Sequence, residues 1–154
     1  MNFKNKVIVI TGASSGIGEA SAIKFAKKNA KIVLVARRKE KLLQLQKKLI
    51  KFTDSTLVCQ CDVSNKTQVK EMTDIVLDTF GRIDVLINNA GFVIYGKVSE
   101  LSIEEIESQM ETNYFGMIYC TKNFLPHMIE QGKGHIVNVA SVGASFGVPG
   151  VASY

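Results

Sequence analysis

Short apolar runs recur along this chain, each separated from the next by a segment of helical periodicity. VIVI at residues 7–10 has no polar position, as a strand buried on both faces requires. IVLVA at 32–36, TLVCQ at 56–60, IDVLI at 83–87 and IVNVA at 136–140 give four more candidate strands. Between them, residues 17–29 place Ala22, Ile23 and Ala26 on one helical face. A lysine-rich segment repeats the pattern with Leu42, Leu45, Leu49 and Phe52, and another does so with Val69, Met72, Val76 and Phe80. Ser64 is placed to cap that third helix and Gly81 to make its left-handed exit. Ser102 and Glu105 form a capping box that opens a long helix, with Pro126 placed to bend it near its end.

Strict alternation of apolar strands with helices specifies an α/β fold: a Rossmann-like, doubly wound parallel sheet flanked by helices. Right-handed crossovers give the strand order 3-2-1-4-5. The ligand crevice then lies at the carboxyl ends of strands one and four, where the order reverses. A length of 154 residues suits one domain, residues 1–154, with a substantial core. No apolar run approaches the ~20 residues of a membrane helix, and no signal segment opens the chain. The expectation is a cytoplasmic protein without a membrane partner.

Cys59 and Cys61 alternate on one strand face, a poor geometry for a disulfide, and Cys120 is remote in sequence. His127 and His135 stand alone and read as surface or loop residues, so no metal site is expected. The net charge is +5, and residues 37–51 hold seven Lys or Arg against one Glu. Their leucines recur at helical spacing, so the lysines form the solvated face of an amphipathic helix. Interleaved aromatics and nucleic-acid motifs are both missing there, which argues against a nucleic-acid partner.

The turn between the first strand and helix reads Thr11-Gly12-Ala13-Ser14-Ser15-Gly16-Ile17-Gly18. Glycines there let backbone N–H groups approach a pyrophosphate at the helix N-terminus, where the macrodipole favours an anion. In this strand-to-helix context the turn is a dinucleotide site. The end of strand two selects the cofactor. An NAD site places Asp or Glu there for the ribose 2′-hydroxyl. This chain has Ala36, followed by Arg37 and Arg38, which suit a 2′-phosphate. NADP(H) is expected in preference to NAD(H).

TGASSGIG, Asp62 after strand three, the NNAG of residues 88–91, Asn113, Ser141 and Tyr154 occur in order across the chain. Together they resemble the short-chain dehydrogenase/reductase family. The resemblance implies that Gly12, Ser14, Ser15, Gly16, Ile17 and Gly18 line the phosphates, with Ser14 helping Arg37 to hold the 2′-phosphate beside Arg38. It implies that Asp62 accepts from the adenine amino group and Val63 packs nearby. Asn89, Ala90 and Gly91 would border the ribose and the crevice floor, while Asn88 ties strand four to its neighbour. Tyr154 would be the general acid or base, and Ser141 would hold the substrate oxygen during hydride transfer between NADP(H) and a carbonyl or alcohol.

The family places a lysine four residues after this tyrosine, where it helps the phenol ionise, holds the nicotinamide ribose and is supported by Asn113 through water. Tyr154 is the last residue here. The domain is therefore expected to be incomplete at its C-terminal side, with weak or undetectable nucleotide binding and essentially no turnover as 154 residues. Strand five is expected to be an unprotected apolar edge, and the natural protein a homodimer or homotetramer. The alternative from a different class is a non-catalytic dinucleotide-binding module, and a residue other than Lys at position 158 would favour it. A substrate pocket bordered by residues 92–97 and 142–153, including Phe146 and Pro149, suggests an apolar or mixed substrate.

Overall fold

The computed structural model describes residues 2–145, 147–151 and 154. Five strands, β1 (Val7–Thr11), β2 (Lys31–Ala36), β3 (Thr56–Gln60), β4 (Val85–Asn88) and β5 (His135–Asn138), form one sheet in the order β3-β2-β1-β4-β5. All four pairings are parallel. This is the expected doubly wound arrangement, and its switch point lies between β1 and β4.

Side-chain alternation divides the core into two layers. Val7 and Val9 of β1, Val33 and Val35 of β2 and Leu86 of β4 pack with Val69, Met72 and Val76 of α3 (Lys66–Phe80). Phe124 and Met128 of α5 (Gly116–Glu130) complete that layer. Ile8, Ile10, Ile32, Leu34, Val85 and Ile87 face the other way. There they meet Ala22 and Ala26 of α1 (Gly16–Ala26) and Leu42, Leu45 and Leu49 of α2 (Lys39–Leu49). β1, β2 and β4 are buried on both faces, which is why the first runs carry no polar position. The edge strands are less covered: β3 is mostly half-buried and β5 mostly exposed.

Several boundaries differ from the sequence expectation for identifiable reasons. α1 stops at Ala26 because Asn29 takes a left-handed φ of 57°, which ends the helix before strand two. The cap of α3 is Asn65, not Ser64: Asn65 Oδ1 accepts from the Thr67 and Gln68 N–H groups. Ser64 instead donates its hydroxyl to Asp62 Oδ1 at 2.8 Å. Gly81 does make the left-handed exit, with φ 66°. β4 begins at Val85, because the Ile83 backbone is satisfied by the Gln131 side-chain amide, at 3.0 and 2.8 Å. β5 ends at Asn138, where its partner strand also ends. His127 lies half-buried within α5 rather than in a loop, and His135 opens β5 exposed.

The expected long helix is three pieces. α4 (Ile103–Met110), opened by the Ser102–Glu105 capping box, passes into a π-turn at Glu111–Phe115 and then into α5. The interruption falls well before Pro126, and α5 runs through that proline to Glu130. A π-turn inserts one residue into the helical turn and re-aims its side chains. Here it carries Asn113, while Gly116 rests on Val63: a Cβ at Gly116 would stand 2.6 Å from Val63 Cγ2.

At the opposite end of the sheet from the crevice, buried Asp84 joins β1 to β4. Its carboxylate accepts from the Val7 N–H at 2.9 Å, from Lys6 Nζ at 3.1 Å and from the Arg82 guanidinium. Burial pushes its pKa up, but the bonds from Arg82, Val7 and Lys6 outweigh that and hold it below the ordinary carboxylate value. A lowered folded pKa stabilises above the unfolded pKa, and that contribution disappears as pH falls through the folded one. Asp84→Ala is expected to cost about 1–3 kcal/mol at pH 7 by leaving the Val7 amide unpaired. In urea unfolding the gap between wild type and variant should close as pH falls below the ordinary carboxylate range; a gap independent of pH would contradict the assignment.

Candidate active site

The ladder between β1 and β4 ends at Ile10 opposite Ile87. Beyond that point the strands part, and their loops must find other partners for their backbone groups. Thr11 supplies them. Its Oγ1 accepts from the Asn89 N–H at 2.9 Å and the Ala90 N–H at 3.0 Å. Asn89 reciprocates: its Nδ2 donates to the Thr11 carbonyl at 3.0 Å and, at 3.4 Å, to that of Gly12. The glycine turn is thus pinned from below by the loop after β4.

That contact leaves no room for a side chain at Gly12 or Gly18. Gly12 has φ 65°, and a Cβ there would lie 2.8 Å from Ala90 Cα. A Cβ on Gly18 would collide with the Gly12 carbonyl oxygen. Ser15 sits at the N-cap of α1, yet its side chain accepts no helix N–H. Its hydroxyl accepts instead from Arg38 Nη2 at 2.9 Å. The first-turn N–H groups of α1 therefore keep their donor capacity for a ligand.

The two arginines diverge. Arg38 bonds Ser14 Oγ through Nη2 at 2.8 Å and through Nε at 3.3 Å. Arg37 lies the other way, two-thirds exposed, with Nη1 4.0 Å from Asp62 Oδ2. Of the two arginines, the one that bonds Ser14 is Arg38. Asp62 Oδ1 closes its own turn by accepting from the Ser64 N–H and hydroxyl, which leaves Oδ2 toward Arg37. Asn88 does tie β4 to its neighbours, donating to Asn138 Oδ1 at 2.9 Å and Thr121 Oγ1 at 3.1 Å.

The expected site residues, Gly18 apart, line one open cleft of about 950 Å³ at the carboxyl edge of the sheet, a volume suited to a large ligand. Gly12, Ser14 and Arg38 stand at one end, Asp62 and Val63 beside them, and Asn113, Ser141 and Tyr154 also reach it. Gly18 serves packing beneath the turn. Ser141 Oγ accepts from the Gly143 N–H at 3.1 Å, leaving its hydroxyl hydrogen to donate elsewhere. Gly143 lies between Ser141 and Tyr154: a Cβ there would stand 3.3 Å from Ser141 Oγ and 3.6 Å from the Tyr154 ring. Asn113 grips the Phe92 backbone with both ends of its amide, accepting from N–H at 2.9 Å and donating to the carbonyl at 2.8 Å. Phe146 and Ser153, expected at the pocket border, lie outside the described residues.

Thr11 and Gln109 were not singled out by the sequence. A threonine ending an otherwise apolar strand was the available signal for Thr11; Gln109, buried on α4, had only its four-residue spacing from Asn113. Cys61 also reaches the cleft wall. Burial, followed by the negative charge of Asp62, pushes its thiol up to about 12, so it is protonated at neutral pH. Cys59 and Cys120 are likewise buried and free. No metal-ligand cluster and no helix long and apolar enough to cross a membrane occur among the described residues.

The short chain dehydrogenase family model matches residues 6–154, and the chain belongs to that family. An oxidoreductase of Staphylococcus aureus strain USA300, itself uncharacterised, is 41% identical over 138 residues, which cover 90% of this chain and 59% of that protein. A Staphylococcus epidermidis counterpart is 37% identical over 139 residues with the same coverage. The chain thus spans about three fifths of the length of these relatives. Among solved structures, a metagenomic short-chain oxidoreductase in complex with NADP superposes with a TM-score of 0.95 at 32% identity, over all of this chain and 70% of that one. An NAD+-bound xylitol dehydrogenase gives 0.95 at 30%, over all of this chain and 60% of that one.

Thr11→Val keeps the shape of the side chain and removes the acceptor. It should cost about 1–3 kcal/mol in urea unfolding and speed hydrogen exchange at the Asn89 and Ala90 amides, whereas Thr11→Ser should restore both. Unchanged exchange at these two amides in the valine variant would remove Thr11 from its role.

Proposed function

We propose that residues 1–154 form the NADP(H)-binding domain of an oxidoreductase that interconverts a carbonyl and an alcohol on a small molecule. The observation that carries the choice of cofactor is the Arg38 guanidinium, held on Ser14 and Ser15 at the mouth of the glycine turn. Strand β2 ends at Ala36, so no carboxylate opposes a phosphate there. The metagenomic relative that binds NADP supports the reading, although the family likeness to an NAD+-bound dehydrogenase shows that the fold accepts either cofactor.

The residues divide the work by position. Backbone N–H groups of the glycine turn, apart from that of Ala13, which the Val35 carbonyl already takes, meet the pyrophosphate, and Arg38 with Ser14 meets the 2′-phosphate. Arg37 flanks the adenine, whose amino group Asp62 Oδ2 accepts while Val63 packs against the ring. Asn89, Ala90 and Gly91 form the ribose-side wall. When bound, the nicotinamide supplies or takes the hydride. Ser141 donates its free hydroxyl hydrogen to the substrate oxygen, because the Gly143 N–H already occupies an acceptor position on Oγ. Tyr154 gives or receives the proton on that oxygen. Asn113 holds the Phe92 wall against the same end of the cleft.

Assembly as a homodimer or homotetramer belongs to the same proposal. The open edge at β5 and exposed Ile103, Met110, Tyr114 and Phe115 beside the π-turn support it. Arg38→Ala should raise the Kd for NADPH about tenfold or more and leave that for NADH within about twofold, since a charge-assisted bond is worth about 1.5–3 kcal/mol. Fluorescence titration of both cofactors checks it. Equal losses for the two cofactors, or a larger selective loss from Arg37→Ala, would contradict the assignment.

A further inference from the structure

The segment after β4 is irregular, yet its backbone is held at successive alternate residues. Asn113 holds the Phe92 N–H and carbonyl, and Gln109 Oε1 accepts from the Ile94 N–H at 2.9 Å. Two residues further, the Gly96 N–H donates to the Gly150 carbonyl at 2.9 Å, and Gly96 forms a parallel bridge with Val151. The Val151 carbonyl in turn accepts from the Tyr154 N–H at 3.1 Å. One continuous path of bonds therefore leads from α4 and the π-turn to the tyrosine.

The spacing explains how a helix can serve as a partner for extended chain. Four residues of helix advance roughly 6 Å, and two residues of extended chain roughly 6.6 Å. Gln109 and Asn113, four apart, match Ile94 and Phe92, two apart, with the chains running in opposite directions. Gln109 is 1% exposed, so its contact with the Ile94 amide is shielded from water. Gly96 keeps the far end close: a Cβ there would come within 2.7 Å of Leu101 Cδ2.

We infer that Gln109 is a positioning residue, which fixes residues 92–96 as a strap and through the Gly96–Val151 bridge sets where Tyr154 stands at the cleft. Its value for catalysis rests on the reading of Tyr154 as the proton-transfer residue; the mechanical coupling does not. Gln109 is not among the residues that line the cleft, whereas Phe92 at the start of the strap is. A change at Gln109 should therefore disturb the reactive end while leaving the phosphate end intact.

Hydrogen exchange in the full chain tests this, using wild type, Gln109→Met, Gln109→Glu and Ile94→Pro. Met removes the acceptor, Glu keeps an oxygen acceptor, and Pro deletes the donor while leaving Gln109 in place. Exchange should rise about tenfold or more at Gly96, Val151 and Tyr154 in the Met and Pro variants, and at Ile94 in the Met variant, with β1, β2 and β4 amides unchanged. Glu should restore most of the protection, and NADPH affinity should stay within about twofold of wild type in all three variants. Faster exchange at 94–96 without any change at 150–154 would break the coupling, and no change at 94–96 would remove Gln109 from it. If Met loosens the whole sheet, the Pro variant decides by the same two segments. Failure of the wild type to bind NADPH would overturn the proposed function alone, because the exchange readout needs neither cofactor nor substrate.

Discussion

The structure depends on one hydroxyl at the point where two strands part. Thr11 Oγ1 accepts from two consecutive amides, Asn89 and Ala90, just beyond the last β1–β4 pair. In a doubly wound sheet the crevice exists because neighbouring strands send their helices to opposite faces. That divergence strands backbone donors at the crevice floor, and leaving them unpaired in a buried position costs about 1–3 kcal/mol each. Thr11 meets that cost and, with Asn89, sets the height of the glycine turn above the β4 loop. The tight fit at Gly12 and Gly18 follows from this contact.

From there the cleft extends both ways by short-range devices. Toward β2, the absence of a carboxylate at Ala36 and the turning of Arg38 onto Ser14 and Ser15 gather positive charge at the mouth of the turn. Toward β5, the π-turn carries Asn113 to Phe92, and Gln109 continues the hold to Ile94. On the proposed function the first device concerns which phosphate pattern the cleft recognises. The second, on the inference above, concerns where Tyr154 stands.

The sheet order was legible in the sequence because burial on both faces excludes polar residues from the strands, and VIVI and IVLVA admit no other partner surface. The glycine turn was legible because its position between strand and helix gives the glycines a reason. Other features were not local. Ser64 and Asn65 are both competent caps, and only the turn closed by Asp62 decides between them. Arg37 and Arg38 are chemically identical neighbours whose side chains leave the chain in different directions, so their order of importance needed coordinates. The π-turn is invisible to periodicity, since apolar residues continue on both sides of it. Its cause is a long-range fit, Asn113 to Phe92 on one side and Gly116 to Val63 on the other.

On the proposed function one cleft at the switch point, floored by the Thr11–Asn89 contact, takes the dinucleotide. Titrating the isotopically labelled protein with NADPH and following backbone amide shifts tests it most directly. The account predicts the largest, saturable shifts at residues 12–18, 38 and 89–92, with residues near Phe3, Asp84 and Lys133 at the opposite edge of the sheet unmoved. Saturable shifts centred on that opposite edge, or none at the glycine turn at millimolar NADPH, would contradict it.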